Sequence, residues 1–359
     1  MVRILKLPGL VDVHTHLRVP GGEHKEDFTT GTAAALAGGF TLILAMPNTT
    51  PPLATVEAMQ ATRQKAQRSI VCDVGLFAGA SPGHIDQLPH VAPQAAALKI
   101  YLNDTFGPLR VDDLPTLMAC FQTWPRSKLI AMHAEGQSVA VGIGLAVAYQ
   151  RPVHFCHISR KVEIELIAAA KRQGLPVTCE VTPHHLFLTK ADAERLGPLG
   201  DMRPTLAEPS DQAALWQHLA TTIDCIATDH APHTLAEKDS PKPPPGVAGL
   251  ETSLSLMLTA VAEKRLTLDR LIKLMATNPR RIFNLPAQPQ TYVEVDTQAS
   301  YTFSNQGLHT RCGWTPFAGM SVTGQVRRVV LREQIVYDAA RNGAGTGIMA
   351  QPGSGRVIP

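Results

Sequence analysis

Apolar runs and helix-like stretches alternate along this chain from its start to about Asn278. The apolar runs fall at 10–16, 40–46, 71–77, 97–102, 129–133, 153–157, 177–181 and 223–228. Stretches of helical character at 56–67, 114–121, 161–172 and 212–220 separate most of them. Strands alternating with helices argue for parallel α/β architecture. Eight strands in that order predict a (β/α)8 barrel of the TIM type over 8–285, with its chemistry at the C-terminal ends of the strands. Helices at 251–263 and 268–275 would close the ring.

The texture changes after Pro286. Segments 291–296 and 326–337 look like strands with no helix between them, which predicts a small β appendage over 286–341. The first residues, 1–7, would add a strand to it. The tail 342–359 is rich in Gly and Pro and is expected to be loosely ordered. Segment 234–249, with Pro243-Pro244-Pro245-Gly246, is a long loop directly after the last barrel strand; loops of this length in a compact domain are functional or mobile. No internal repeat is present.

Composition narrows the class. The 359 residues suit one large barrel with insertions as well as two domains, and 44% apolar with 18% charged residues is ordinary for a globular protein with a large core. A net charge of +3 with no basic run argues against nucleic-acid and membrane-surface binding. No window reaches ~18 consecutive apolar residues, and no charged-then-apolar leader opens the chain. The six cysteines are scattered without a CxxC pair, a pattern expected of reduced thiols in the cytoplasm.

The polar residues that interrupt the strand ends carry the chemistry. In Asp12-Val13-His14-Thr15-His16-Leu17-Arg18 the two histidines are two apart on a strand, so their rings share a face. Two imidazoles suit zinc, although a lone HxH is equally a hydrogen-bonded turn pair. It is not alone. His133 ends the run 129–132, His157 ends 152–156, and Asp229 follows 223–228 and opens Asp229-His230-Ala231-Pro232-His233. Four histidines and an aspartate at four strand ends would converge on one mouth of a closed barrel. Lys99 lies in a strand otherwise free of charge. It is either a lysine snorkelling to solvent or a nucleophilic amine that carbon dioxide converts to a carbamate able to bridge two metals.

These residues resemble a known family. His14-Thr15-His16-Leu17-Arg18, Met46-Pro47-Asn48-Thr49 and Ala227-Thr228-Asp229-His230-Ala231-Pro232-His233 with Lys238 look like the signatures of the dihydroorotases, in the amidohydrolase superfamily. GTAAALAGG (31–39), LPVTCE (175–180), PHHLFL (183–188) and NPRRIF (278–283) resemble the dihydroorotase domain of CAD-type multifunctional proteins. The resemblance extends to about Leu331.

It implies a zinc-dependent cyclic amidohydrolase that interconverts carbamoyl-aspartate and dihydroorotate in pyrimidine synthesis. His14, His16 and Asp229 would bind one Zn2+, His133 and His157 a second, with Lys99 as N6-carboxylysine between them. Hydroxide between the metals would attack the ring amide, with Asp229 as general acid and base. Arg18, Asn48 and His233, assisted by Arg203, would hold the substrate carboxylate. Thr105 and Phe106 would contact substrate from a mobile loop after the fourth strand. Cys156 and Glu180 match residues that hold a third zinc in CAD-type domains, the alternative being core packing. The resemblance also implies a homodimer, and raises membership of a polypeptide with carbamoyl-phosphate synthetase and aspartate transcarbamoylase. Val19 departs from the acidic residue that usually follows the arginine. His184, His185 and His230 are read as supporting residues; His24, His84, His90, His154, His218 and His309 have no comparable setting. Two other readings share the site: a related amidase such as a hydantoinase, and a catalytically dead scaffold.

Overall fold

The chain enters through β1 (Ile4–Pro8) and passes at Gly9 into β2 (Leu10–Thr15) in this computed structural model, which describes residues 3–344 and 346–359. The expected apolar runs all form strands: β2, β3 (Phe40–Ala45), β4 (Asp73–Leu76) continued by β5 (Ala78–Gly79), β6 (Leu98–Tyr101), β7 (Ile130–His133), β8 (Val153–Phe155), β9 (Val177–Val181) and β10 (Cys225–Ile226). Neighbours pair in parallel from β2 to β4 and from β5 to β10. Phe77 and Ala78 join the two groups, donating to Ala45 O and Ala97 O, both at 2.9 Å. A parallel bridge between Thr15 and His230, with His16 N donating to His230 O at 2.7 Å, closes the ring. This is a (β/α)8 barrel.

Two apolar layers explain why the strands read as unbroken apolar runs. Val11, Val13, Leu42, Leu44, Phe77, Ala97, Ala131 and Ala227 form one cluster, while Leu10, Ile43, Leu98, Ile100, Ile130, Met132, Val153 and Phe155 join the larger cluster that includes the helices. Along a strand the residues therefore alternate between the two. Helices start at side-chain caps: Asp27 opens Phe28–Ala37, Thr55 opens Val56–Ser69 and Asp113 opens Leu114–Thr123.

The appendage is an antiparallel sheet in the order β1, β11 (Tyr292–Thr302), β12 (Ser321–Leu331), β13 (Gln334–Asp338). It docks on helix Ser253–Ala262 where Gly324, at φ +95°, leaves no room for a Cβ, which would lie 2.7 Å from Leu258. Between β11 and β12 the chain makes an excursion whose Phe303, Trp314 and Phe317 form a third cluster with Leu188, Met202 and Leu256.

The tail corrects an expectation. Val357–Ile358 form β14, parallel to β4, rather than a loose end. Gly353 and Gly355 both donate to Ile70 O, Arg63 Nη1 holds Ile358 O at 2.9 Å, and Ile358 is buried with the barrel's inner cluster. Glycine is used there for close approach: a Cβ on Gly355 would sit 2.1 Å from Cys72 O. Met1 and Val2 of the expected first strand, and Gly345 of the tail, lie outside the described residues. Among the described residues no helix is long and apolar enough to cross a membrane.

Candidate active site

The barrel brings the strand-end residues together. His14 lies in β2 with His16 just beyond it, Lys99 in β6, His133 at the end of β7, Cys156 and His157 just past β8, Glu180 in β9, and Asp229 past β10. All are buried. His14 Nε2 and His16 Nε2 both approach Asp229 Oδ1, at 3.3 and 3.0 Å. The backbone leaves β geometry to aim them: Arg18, His157 and Asp229 have φ of 60°, 33° and 45°, a region that L side chains rarely adopt.

Proton placement identifies what the cluster needs. Asn48 Nδ2 donates to Phe106 O at 2.8 Å, so its Oδ1 accepts from His16 Nδ1 at 2.7 Å. Burial holds the His16 imidazole down at about 4, against the pull of Asp229, so the ring is neutral and its Nε2 is an acceptor. That acceptor faces a carboxylate oxygen. His14 Nδ1 is held by Glu180 Oε1 at 2.5 Å, which turns its Nε2 to the same oxygen. For His14, burial and Lys99 lower the pKa, but Asp229, Glu180 and Cys156 overcome them and hold it at about 10. Burial would raise both Asp229 and Glu180, yet the surrounding histidines keep them below the usual carboxylate range. His16 Nε2 and Asp229 Oδ1 thus meet as two acceptors 3.0 Å apart, a contact that a bound cation would balance.

The donor set fits zinc, which takes imidazole nitrogen, carboxylate oxygen and thiolate sulfur. Ligand atoms of His14, His157 and Asp229 lie within 4.8 Å of one another, as do those of His14, Cys156 and Glu180. His133 Nδ1 and His157 Nε2 face each other at 2.9 Å, and buried His157 Nδ1 has no hydrogen-bond partner. Lys99 is fully buried and does not snorkel; its Nζ donates to Cys156 Sγ at 2.9 Å and lies 5.0 Å from the Tyr101 ring.

Beside this cluster lies a small cavity lined by His16, Arg18, Asn48, Thr105, Phe106 and Arg203. Its volume of about 20 Å³ admits roughly one water. Phe106 covers it, 5.3 Å from the Arg18 guanidinium and 5.1 Å from the His233 ring. Arg18 donates to Pro232 O at 3.1 Å and lies 3.0 Å from His233 Nε2. Burial lowers the Arg18 pKa to about 10, so it remains charged at neutral pH. Arg203 turns towards Asp201 and Met202 O. Val19 is buried beside the clamp. Lys238 Nζ, also buried, donates to Asp201 O.

His185 bonds Thr182 and Pro204 O, and His230 lies between Glu26 and Gly249 N, so both support the site rather than face the cavity. His184 is buried against His185, its Nε2 without a hydrogen-bond partner. His154 had been set aside, yet its Nε2 meets Glu180 Oε2 at 3.0 Å and so braces the carboxylate that orients His14. Glu135 on His133 Nε2 (2.9 Å), Glu26 and Lys25 were also missed. Only the spacing in His133-Ala134-Glu135 hinted at any of them.

Known proteins similar to this chain include dihydroorotases and multifunctional relatives. The dihydro-orotase-like family profile matches residues 3–83. The dihydroorotase of Methanosphaera stadtmanae is 34% identical over 92% of this chain and 85% of its own length. The chain belongs to the dihydroorotase family. It is also 50% identical, over 99% of its length, to the multifunctional protein CAD of Squalus acanthias, of which it spans 16%. Among solved structures, the inactive dihydroorotase-like domain of the Chaetomium thermophilum CAD-like multifunctional protein superposes with a TM-score of 0.83 at 28% identity, covering 99% of this chain and 100% of that one.

Proposed function

We propose that this chain is an active dihydroorotase of pyrimidine synthesis, closing N-carbamoyl-L-aspartate to L-dihydroorotate and reopening it. The observation that carries the reading is a buried, charged Arg18 in a small cavity bordered by Asp229 and His16. Dihydroorotate has both an amide to cleave and a carboxylate for a guanidinium to hold, whereas neutral hydantoins and dihydropyrimidines lack the carboxylate. Charge-assisted contacts of this kind are strong and directional. Arg18, Asn48 and His233, with Arg203, would form the clamp, and Thr105 and Phe106 would close over it.

His14, His16, Asp229, His133 and His157 would hold two zinc ions, with Lys99 as a carbamate between them. Cys156 and Glu180 would serve a third. When bound, zinc supplies Lewis-acid polarisation of the ring carbonyl and lowers the pKa of water to roughly 7. Asp229 takes the proton of the attacking water at its carboxylate and passes it to the leaving amide nitrogen. In the reverse direction protonated Asp229 gives its proton to the departing oxygen, which leaves as water; closure of the ionised carboxylate consumes a proton, so it is favoured at acidic pH and opening at alkaline pH. Since the cavity holds about one water, Phe106 must swing out to admit the substrate.

The proposal extends to a cytoplasmic homodimer, within or apart from a multienzyme polypeptide that also carries carbamoyl-phosphate synthetase and aspartate transcarbamoylase. Support for self-association comes from three successive barrel helices that expose Leu114, Met118, Val141, Val147, Val162 and Leu166.

The deciding experiment is hydrolysis of dihydroorotate against dihydrouracil and hydantoin, with metal content measured on the same sample. Turnover of dihydroorotate alone with two or three zincs per chain is expected. Preference for the neutral rings would overturn the substrate, and a metal-free, inactive protein would restore the scaffold reading.

A further inference from the structure

We infer that Lys25 is a positioning residue that fixes the tautomer of His233, and through it the polarity of the substrate clamp; this rests on the clamp proposed above. His233 is fully buried and has close polar neighbours on both ring nitrogens. Nδ1 lies 3.2 Å from Lys25 Nζ, and the Glu237 carboxylate is too far from it to accept a proton, at 3.8 Å. Nε2 lies 3.1 Å from Pro245 O and 3.0 Å from an Arg18 Nη2.

Lysine and arginine only donate, so the ring stands between two cations and stays neutral. A neutral imidazole has one acceptor and one N–H. Only a donor faces Nδ1, whereas Nε2 faces both an acceptor and a donor. Nδ1 must therefore accept from Lys25, and the proton sits on Nε2, held by Pro245 O. A carboxylate on Arg18 would share that N–H with Pro245 O, adding a second donor to the same anion. The opposite tautomer would present a lone pair to that anion.

Lys25 is built for this task. Its side chain is only 9% exposed and its Nζ is 2.8 Å from Glu237 Oε1. Glu237 is itself fixed by Thr234 N at 3.0 Å. The ammonium also lies 4.8 Å from the Phe106 ring, which covers Arg18 as well, so the loop aromatic rests on both cations that set the clamp.

Imidazole nitrogen NMR on the full chain, with histidine labelled and His233 assigned by substitution, reads the tautomer without reference to activity. Wild-type His233 is expected to carry its proton on Nε2, and Lys25→Met to move it at least partly to Nδ1. In parallel, KM for dihydroorotate should rise about tenfold in Lys25→Met while kcat falls less than threefold, and Lys25→Arg should recover most of the loss. Should Lys25→Met not fold, Glu237→Gln, which loosens Lys25, is expected to shift tautomer and KM in the same direction by a smaller factor. A wild-type proton on Nδ1, an unchanged tautomer and KM in the variants, or a loss confined to kcat would each overturn the inference. Wild-type protein that ignores dihydroorotate would count against the proposed function alone, because the tautomer would still be read.

Discussion

Replacing Arg18 by Met tests the substrate assignment most directly. The guanidinium carries five N–H donors, of which Pro232 O takes one, while the Nη2 beside His233 meets a protonated ring nitrogen and keeps its donors. The rest can accept a carboxylate side-on. Two charge-assisted bonds at about 1.5 kcal/mol each contribute about 3 kcal/mol, or roughly 100-fold in kcat/KM. Methionine keeps an unbranched stem suited to the left-handed backbone at this position, so the barrel should survive. The assay is initial-rate hydrolysis of dihydroorotate and of dihydrouracil by wild type and variant, with thermal melting as a folding control. The loss should fall on dihydroorotate, whereas any residual rate on dihydrouracil should change by less than about threefold, since that ring offers no anion. Equal losses on both substrates would mean that Arg18 holds the site together rather than reading charge, and the clamp argument would fail.

Three further outcomes are expected. Ile358→Ala should cost about 2 kcal/mol by removing a side chain buried with the barrel's inner cluster, lowering Tm by about 2–3 °C without changing kcat; an unaltered Tm would detach the tail from the core. Burial raises Glu251 from 4.5 to about 7 despite N–H bonds from His309 and Thr310. The folded chain then binds more protons than the unfolded chain between those values, so stability should fall as pH rises through that window, by at most about 1.4 kcal/mol per unit, and Glu251→Gln should flatten denaturant midpoints measured across it. Val141→Lys places a charge on the exposed apolar face and should yield monomers in light scattering; an unchanged mass would move any self-association elsewhere.

Much of the barrel was legible because each strand is a short apolar run, and the zinc-type residues stood out because charge or imidazole at the end of such a run has no packing reason to be there. Lys99 shows the limit of that logic. Its burial follows from the strand, but its contact with Cys156 depends on β6 and β8 lying on either side of β7. The tail misled for a physical reason. Glycine and proline signal looseness when nothing packs on them, but at 353–359 the missing side chains allow the chain to press against Ile70 and Cys72. His154 was passed over because nothing near it in sequence differs from an ordinary strand histidine; its carboxylate partner, Glu180, belongs to the neighbouring strand.

What separates this site from a mere collection of histidines is a layer of buried carboxylates behind it. Asp12 accepts from His14 N, Thr228 N and Thr228 Oγ1, tying β2 to the segment that delivers Asp229. Glu180 holds His14, His154 and the backbone N–H of His157. Glu26 holds His230 together with Thr310 and Arg311 of the excursion from the appendage. A buried carboxylate is costly unless its lone pairs are filled, so each of these groups tolerates little displacement of its partners. Trp314 extends the bracing to the clamp, its Nε1 donating to His233 O at 2.7 Å. The excursion between β11 and β12 therefore reaches the backs of both His230 and His233. The small β sheet is thus tied to the working end of the barrel, and loosening residues 303–320 should disturb substrate binding although none of them lines the cavity.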